Sequence, residues 1–469
     1  MRGRRLWSGP ETARTLRHGR ERAGARGETL STGTRLRVLR PVAGCCTGLM
    51  AIAFSGCGGA DQGEPEGETL IAGAIRDSAG IPIVENRAPP PGSRLGWVVG
   101  DAPVVSIGTR DASDAFQFHR VGDATRLDDG RIVVANGGSN ELLVFDADGS
   151  HLGAWAGEGD GPGEFWDLST VRPWPGDSLI AGDSQQGRAS IFDLAGAHGR
   201  TMSLRGPPDP ATREVAAAGE AADAEPVDAE PHVVLRVLPD GTLLTRTPRG
   251  YAQGFHRWES AYALIDADGS TRAALGNYLG IETYSAFHQQ DDGNYAVIPL
   301  WHPFGKTTVT TAWGDLAAIG DTETYEIRAY RSDGSLARIV RRDHETRIPT
   351  QAEQDESFRD RFAGLSDDDR EPWMTAAADV PLVESFPAYS RLRGDALGHL
   401  WAAEFKHPDA EYEGTLWTVF DPDGLALGFL ETPGGFHVFE IGADYILGST
   451  TDDFGVEYVE LWSLTRSSS

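Results

Sequence analysis

Three histidines fall in three stretches that are rich in rings and cations. His256 lies in TPRGYAQGFHRW (Thr247–Trp258), His302 in PLWHPFGK (Pro299–Lys306) and His407 in EFKHPDAEYE (Glu404–Glu413). Brought together, three imidazoles and the Glu404 carboxylate form a donor set for a divalent metal with an open position. No H-x-H or H-E-x-x-H spacing supports that set, so no cofactor is expected and a divalent metal is the alternative. The same stretches supply Arg249, Tyr251, Trp258, Trp301, Lys306 and Lys406. Cations interleaved with rings suit an anionic or sugar-like ligand, through charge and stacking. The competing reading is that these rings pack between long loops.

Other patterns reduce to turn chemistry. GEGDGPGEF (Gly157–Phe165) has the glycines of a phosphate loop but lacks the closing Lys-Ser/Thr, and it opens a strand rather than a helix. The pairs Asp146/Asp148, Asp266/Asp268 and Asp421/Asp423 have calcium-loop spacing without the glutamate that closes an EF-hand, and Asp and Gly are what β-turns require. No G-x-S-x-G elbow is present.

The elements that would carry these groups are short strands. In DDGRIVVANGGSNELLVFDADGSHLGAWAGEGDGPGEF (Asp128–Phe165), turn signals separate apolar runs of strand length. The turn after the third strand returns at Phe192, Ile265, Tyr330 and Phe420, and Phe145 to Phe192 is 47 residues, the length of one four-stranded blade. Two longer intervals hold insertions. An Ala-, Pro- and acid-rich loop is expected at about 207–231. A helical insertion is expected at about 343–384, where Thr350 and Glu353 form a capping-box pattern ahead of Phe358 and Phe362.

Five complete units leave three strands at the C-terminal end and the lone strand Pro103–Gly108 near the other. Pairing Val104–Ile107 beside Val456–Leu464 would remove both exposed edges. The expected fold is therefore all-β: a six-bladed β-propeller over 73–466, its last blade closed by an N-terminal strand. A β-sandwich is the structural alternative, but it leaves the repeat period unexplained.

The quoted segment resembles the NHL-type repeat, in which a glycine-rich loop ending in Phe precedes the next blade. The chain is similar to six-bladed propeller lipoproteins of bacterial envelopes. That resemblance implies a fold that hosts binding modules, lyases and lactonases alike. In the lactonase kind, carboxylates and Asn at inner-strand starts hold a metal. Asn136 and Asp183 lie in the corresponding region, without a glutamate that clearly completes the set.

Charge and the N-terminal segment supply an address. Residues 1–40 hold eleven Arg and three Glu, leaving 31 basic against 67 acidic residues. So acidic a body repels phosphate backbones, which excludes nucleic acid as a partner. The uncharged Pro41–Gly56 follows Arg35, Arg37 and Arg40, and FSGC resembles a lipobox with lipidation at Cys57. The rival VAGC at Cys45 has Arg37 and Arg40 where an apolar run is required. Residues 1–57 thus read as a signal region, with initiation possible nearer Val38, and 58–72 as a flexible acidic tether. All three cysteines (Cys45, Cys46, Cys57) lie in the signal region, so the rest of the chain holds no disulfide or cysteine metal site.

The expectation is a monomeric, lipid-anchored protein on the periplasmic or surface side of a bacterial envelope. It binds a small-molecule, sugar or protein ligand at one mouth of a central channel, without catalysis. Two alternatives stay open: a metal-dependent hydrolase or lyase of the lactonase kind, and a structural envelope protein.

Overall fold

The computed structural model describes residues 73–110, 116–204, 232–247, 254–289 and 295–466. The signal region, the tether, the acidic insertion at 207–231, Arg249 and Tyr251 lie outside the described residues. Described residues up to His288 and from Val297 onward form one compact unit.

Strands β1 (Ala74–Ser78) and β2 (Ile81–Asn86) form a hairpin, followed by β3 (Val98–Ile107). The first four-stranded meander is β4 (Val121–Arg126), β5 (Ile132–Asn136), β6 (Glu141–Phe145) and β7 (His151–Trp155). A short parallel pair, β8 (Gly157–Glu158) and β9 (Glu164–Phe165), leads to the second: β10 (Leu168–Trp174), β11 (Ser178–Asp183), β12 (Arg188–Asp193) and β13 (His198–Ser203). The third sheet has five strands: β14 (Val233–Val237), β15 (Leu243–Thr247), β16 (Gly254–Ile265), β17 (Thr271–Gln289) and β18 (Tyr295–Trp301).

The fourth sheet comprises β19 (Thr308–Trp313), β20 (Leu316–Asp321), β21 (Glu326–Tyr330) and β22 (Leu336–Arg342), extended by β2 and β1. Helices α1 (Gln351–Arg361) and α2 (Asp367–Ala378) follow. The fifth sheet is β23 (Tyr389–Gly394), β24 (Leu400–Glu404), β25 (Thr415–Phe420) and β26 (Ala426–Thr432). The sixth is β27 (His437–Ile441), β28 (Tyr445–Thr451), β29 (Glu457–Thr465) and, returning from the N-terminal side, β3.

Local chemistry sets these boundaries. In the turn after β6, Asp146 Oδ1 accepts from the amides of Asp148 and Ser150 at 3.0 and 2.7 Å, and Gly149 takes φ 85°. The carboxylate is spent on the turn itself, which accounts for the Asp-x-Asp-Gly pattern. Thr350 and Glu353 form the reciprocal capping box of α1.

One buried cluster lies between each pair of successive sheets. Val133 and Leu142 of the first meet Val171 and Leu179 of the second, and Ile180 and Ile191 meet Leu243 and Ile265. Leu244 and Leu264 meet Ala317 and Ile319, and Ala318 and Ile327 meet Leu392 and Leu400. Trp401 and Trp417 meet Val438 and Ile446. The last cluster closes the cycle, packing Leu447 and Val459 of the sixth sheet against Ile132 and Leu143 of the first. Each fully buried large side chain contributes about 1.5–3 kcal/mol. This cyclic succession of sheets is a propeller arrangement.

The closing strand pairs as its sequence position led us to expect: Val105 lies opposite Leu461 and Ile107 opposite Val459, antiparallel. Two features go beyond the sequence expectation. Strand β2 adds in parallel to β22, and the Asn86 amide donates to the carbonyls of Arg341 and Gly424 while accepting from Ala426 N. Gly254–Trp258, expected as part of a mouth loop, is the first half of β16, because it pairs with the long β17. Among the described residues, no helix is long and apolar enough to cross a membrane.

Candidate functional site

The innermost strands of the six sheets are β4, β10, β14, β19, β23 and β27, each touching the next in cyclic order. One register row can be followed across every sheet. It runs Thr125–Val133–Val144 in the first, Arg172–Ile180–Ile191 in the second and Arg236–Leu244–Leu264 in the third. It continues as Thr311–Ala318–Ala329, Arg393–Trp401–Val419 and Glu440–Leu447–Leu461. In all six sheets the pairing of the third and fourth strands shifts register directly after this row. Thr125, Arg172, Arg236, Thr311, Arg393 and Glu440 are therefore equivalent, one per inner strand. Three of the six are arginines.

Their contacts show that the row converges. Thr125 Oγ1 donates to Glu440 Oε2 at 2.6 Å, joining the first and sixth sheets, and the Tyr445 hydroxyl donates to the other Glu440 oxygen. Arg172 Nη2 lies 2.6 Å from Asp123 Oδ1, and its Nη1 donates to the Phe439 carbonyl at 3.2 Å. Arg393 Nε donates to the Val438 carbonyl at 2.8 Å. Strand β27 is bulged between Val438 and Glu440, and a bulge frees backbone groups from the ladder; here guanidiniums from the second and fifth sheets take those carbonyls. Arg236 donates to its neighbour's carbonyl at Leu235, beside a similar bulge in β14.

The electrostatics are those of crowded cations. Burial is the largest effect on Arg236, aided by Arg172, and its pKa falls to about 10. Burial, then Arg236, Arg172 and Arg391, pull Arg393 well below the usual range, and burial lowers Arg391. His437 retains solvent contact, yet burial of its ring and the charges of Arg391, Arg393, Arg236 and Arg172 push it down to about 3. Asp123 is 3% exposed. Burial lifts its carboxyl to about 6 against the opposing pull of Arg172, Arg236 and Arg393. Arg172, Arg236 and Arg393 thus act on a single buried Asp, with Arg391 acting on Arg393.

The residues singled out in the sequence take other places. His302 is buried, with Nδ1 accepting from Phe304 N at 3.0 Å and Nε2 within 2.8 Å of Gln354 Oε1 and 3.1 Å of the Pro381 carbonyl. Both ring nitrogens are occupied, so His302 anchors α1 and has no lone pair left for a metal. Glu404 receives Arg342, Tyr325 and Thr418 between the fourth and fifth sheets. His407 packs edge-on against Phe386, at 4.8 Å between centroids. His256 stacks on Trp258 at 5.0 Å. Among the described residues, no group of three or more His, Cys, Asp or Glu gathers as a metal would need.

Lys306 is buried with Nζ 3.7 Å from Glu323, and Lys406 donates to the Glu413 carbonyl at 2.7 Å. Trp301 is half exposed with Arg361 5.8 Å from its ring. Asn136 and Asp183 fasten loops: the first accepts from His119 N, the second from the amides of Trp166, Gln185 and Gln186.

Nothing local in the sequence marks Arg172, Arg236 or Arg393, because an arginine on a strand is ordinarily a solvated side chain. A usable signal existed: Arg172, Arg236 and Arg393 each occupy one repeat position, late in the first strand of a unit.

No family model matches the chain, and no curated protein matches it. Among solved structures, it is similar to a putative exported protein from Bacteroides fragilis, at 12% identity over 82% of this chain and 100% of that one, with TM-score 0.44. It is also similar to a virginiamycin B lyase from Staphylococcus aureus, at 10% identity over 79% and 99%, with TM-score 0.36. A gluconolactonase from Xanthomonas campestris is similar at 13% identity over 80% and 99%, with TM-score 0.35.

Proposed function

We propose that this chain is a lipid-anchored, extracytoplasmic six-bladed propeller of NHL type that binds an anionic ligand among the arginines of its inner strands, without catalysis. One observation carries the reading: Arg172, Arg236, Arg391 and Arg393 crowd together in a protein of net charge −28. Like charges held partly out of water cost stability unless something offsets them, and guanidinium is the group best matched to carboxylate and phosphate. The exposed rings of Trp258 and Trp301 offer a separate aromatic surface.

Thermal melts of the full chain in detergent test this reading. Oxyanions should raise Tm where neutral sugars at equal concentration do not, and Arg236→Met and Arg393→Met should abolish the rise. Equal shifts from sugars and anions would sink it. For the anchor, Cys57→Ser should prevent labelling by a radioactive fatty acid and release the protein from membranes.

A catalytic reading has one observation in its favour. Asp123, buried and lifted to about 6, has the form of a general acid or base. Lactone and ester hydrolysis that disappears in Asp123→Asn, with anion binding retained, would establish it.

A further inference from the structure

Strands β16 and β17 hold 12 and 19 residues, against five or six for those of the first sheet, and β18 adds a third strand beside them. One face of this ribbon is spent on the protein. Arg257, opposite Glu282, reaches Asp321 and Glu323 at 2.5 and 2.9 Å, and the Phe255 and His302 rings meet at 6.2 Å between centroids. Leu300 and Tyr284 pack with Phe358 of α1.

Successive residues of a strand point to opposite faces, so the residues between these form the other face. His256 lies opposite Thr283. The His302 amide donates to the Glu282 carbonyl at 3.1 Å, which sets Trp301 beside Thr283 in the next pair of strands. His256, Thr283 and Trp301 therefore form one row across three strands, and Trp258 and Ile281 follow on β16 and β17. Trp301 is 48% exposed, Ile281 39% and Trp258 37%, while the intervening Leu300, Glu282 and His302 are buried. The His256 and Trp258 rings stack at 5.0 Å, with 29° between their planes. With neighbouring strands about 4.8 Å apart, Trp301 and this stack stand about 10 Å from one another, separated by the short Thr283.

A cation borders the row. At the end of α1, Arg361 Nη1 donates to the Trp301 carbonyl at 2.9 Å, and the guanidinium carbon lies 5.8 Å from the Trp301 ring. Among the described residues, no carboxylate lies within ion-pair distance of Arg361. In a chain of net charge −28, an exposed guanidinium without a carboxylate is open to one from outside.

We propose that this face binds an acidic glycan, with sugar rings stacked on Trp301 and Trp258 and a uronic-acid carboxylate on Arg361. A pyranose offers a flat C–H face to an aromatic ring and a rim of hydroxyls to water. Two exposed rings with a hydroxyl-bearing residue between them match that alternation, whereas a protein partner would require continuous apolar surface. The buried contacts of the opposite face hold the platform rigid, so little ordering is needed on binding. The surface is separate from the arginines of the inner strands, and the inference does not rest on the reading proposed for them.

Calorimetry on the full chain in detergent tests it, with tetragalacturonate as probe and maltotetraose as its uncharged counterpart. Tetragalacturonate should bind about tenfold more tightly than maltotetraose. Trp301→Ala and Trp258→Ala should each weaken both sugars about tenfold, at unchanged Tm because both side chains are exposed. Arg361→Gln should bring tetragalacturonate down to the affinity of maltotetraose and leave maltotetraose unaffected. Sulfate at constant ionic strength should not displace the sugar; displacement would assign it to the inner-strand arginines and overturn this inference. Tetraglutamate binding as tightly as tetragalacturonate would show that charge alone is recognised, and would overturn it too. So would an affinity untouched by Trp301→Ala, or no binding of tetragalacturonate at all.

Discussion

The guanidinium of Arg172 lies 2.6 Å from the carboxylate of Asp123, across the boundary between the first and second sheets. Asp123 is buried and Arg172 mostly so, at 5% and 18% side-chain exposure, and removing the arginine takes away the ion-pair partner of a buried carboxylate. Arg172→Met should cost about 3 kcal/mol at pH 7.5 in urea unfolding. Asp123 has a folded pKa above its unfolded value, so its contribution is greatest at low pH and is lost as pH rises through about 6. The cost of Arg172→Met should therefore shrink at pH 5, where a protonated Asp123 no longer needs the cation. A cost that does not change with pH would show that Asp123 is not the group at stake.

The histidines act with the opposite sign. Burial lowers His232, His302, His344 and His407, and His437 is held near 3. A depressed histidine stabilises the fold above its unfolded value of about 6.5 and loses that contribution as pH falls below it. Tm should drop between pH 7 and 5, and the double variant His302→Gln, His437→Gln should show a shallower drop. An unchanged slope would count against these two as its source.

Arg188 clamps the glycine-rich loop. Its guanidinium reaches the carbonyls of Asp160, Gly161 and Glu164 at 3.0, 3.2 and 2.5 Å. Lysine cannot reproduce that fork. Arg188→Lys should cost about 1–2 kcal/mol and open Gly157–Phe165 to limited proteolysis before the rest of the chain. Cleavage elsewhere first would show that the loop has other restraints.

Ile107 closes the sixth sheet and is 1% exposed beside Val459 and Leu461. Ile107→Asp places a charge in that cluster and detaches β3 from β29, exposing a strand edge. The variant should lose about 4 kcal/mol or more and elute as aggregates in gel filtration. A monomer of near-normal Tm would mean that closure contributes little.

Much of the fold was legible because a turn is a local event. Asp146 and Gly149 determine theirs within four residues, and so do their counterparts after Phe192 and Phe420. The partner of β3 could also be inferred, since an unpaired strand at each end of a repeat has one economical solution. The β1–β2 hairpin was not legible, because its parallel pairing with β22 spans about 255 residues and rests on Asn86 meeting backbone that no local pattern announces. His302 shows the same limit: its type suggested a metal ligand, and only its neighbours Gln354 and Pro381 reveal an anchor.

The sequence by itself determined most of the strands, their turns, the period of the repeat and the acidity of the chain, all of which depend on composition or on residues close together in the chain. The tertiary structure alone decided that Arg172, Arg236 and Arg393 meet around Asp123. They lie on three different sheets, and only ring closure brings their charges within range. Electrostatic interaction depends on distance in space and on burial, and neither is written in the spacing of residues along a chain.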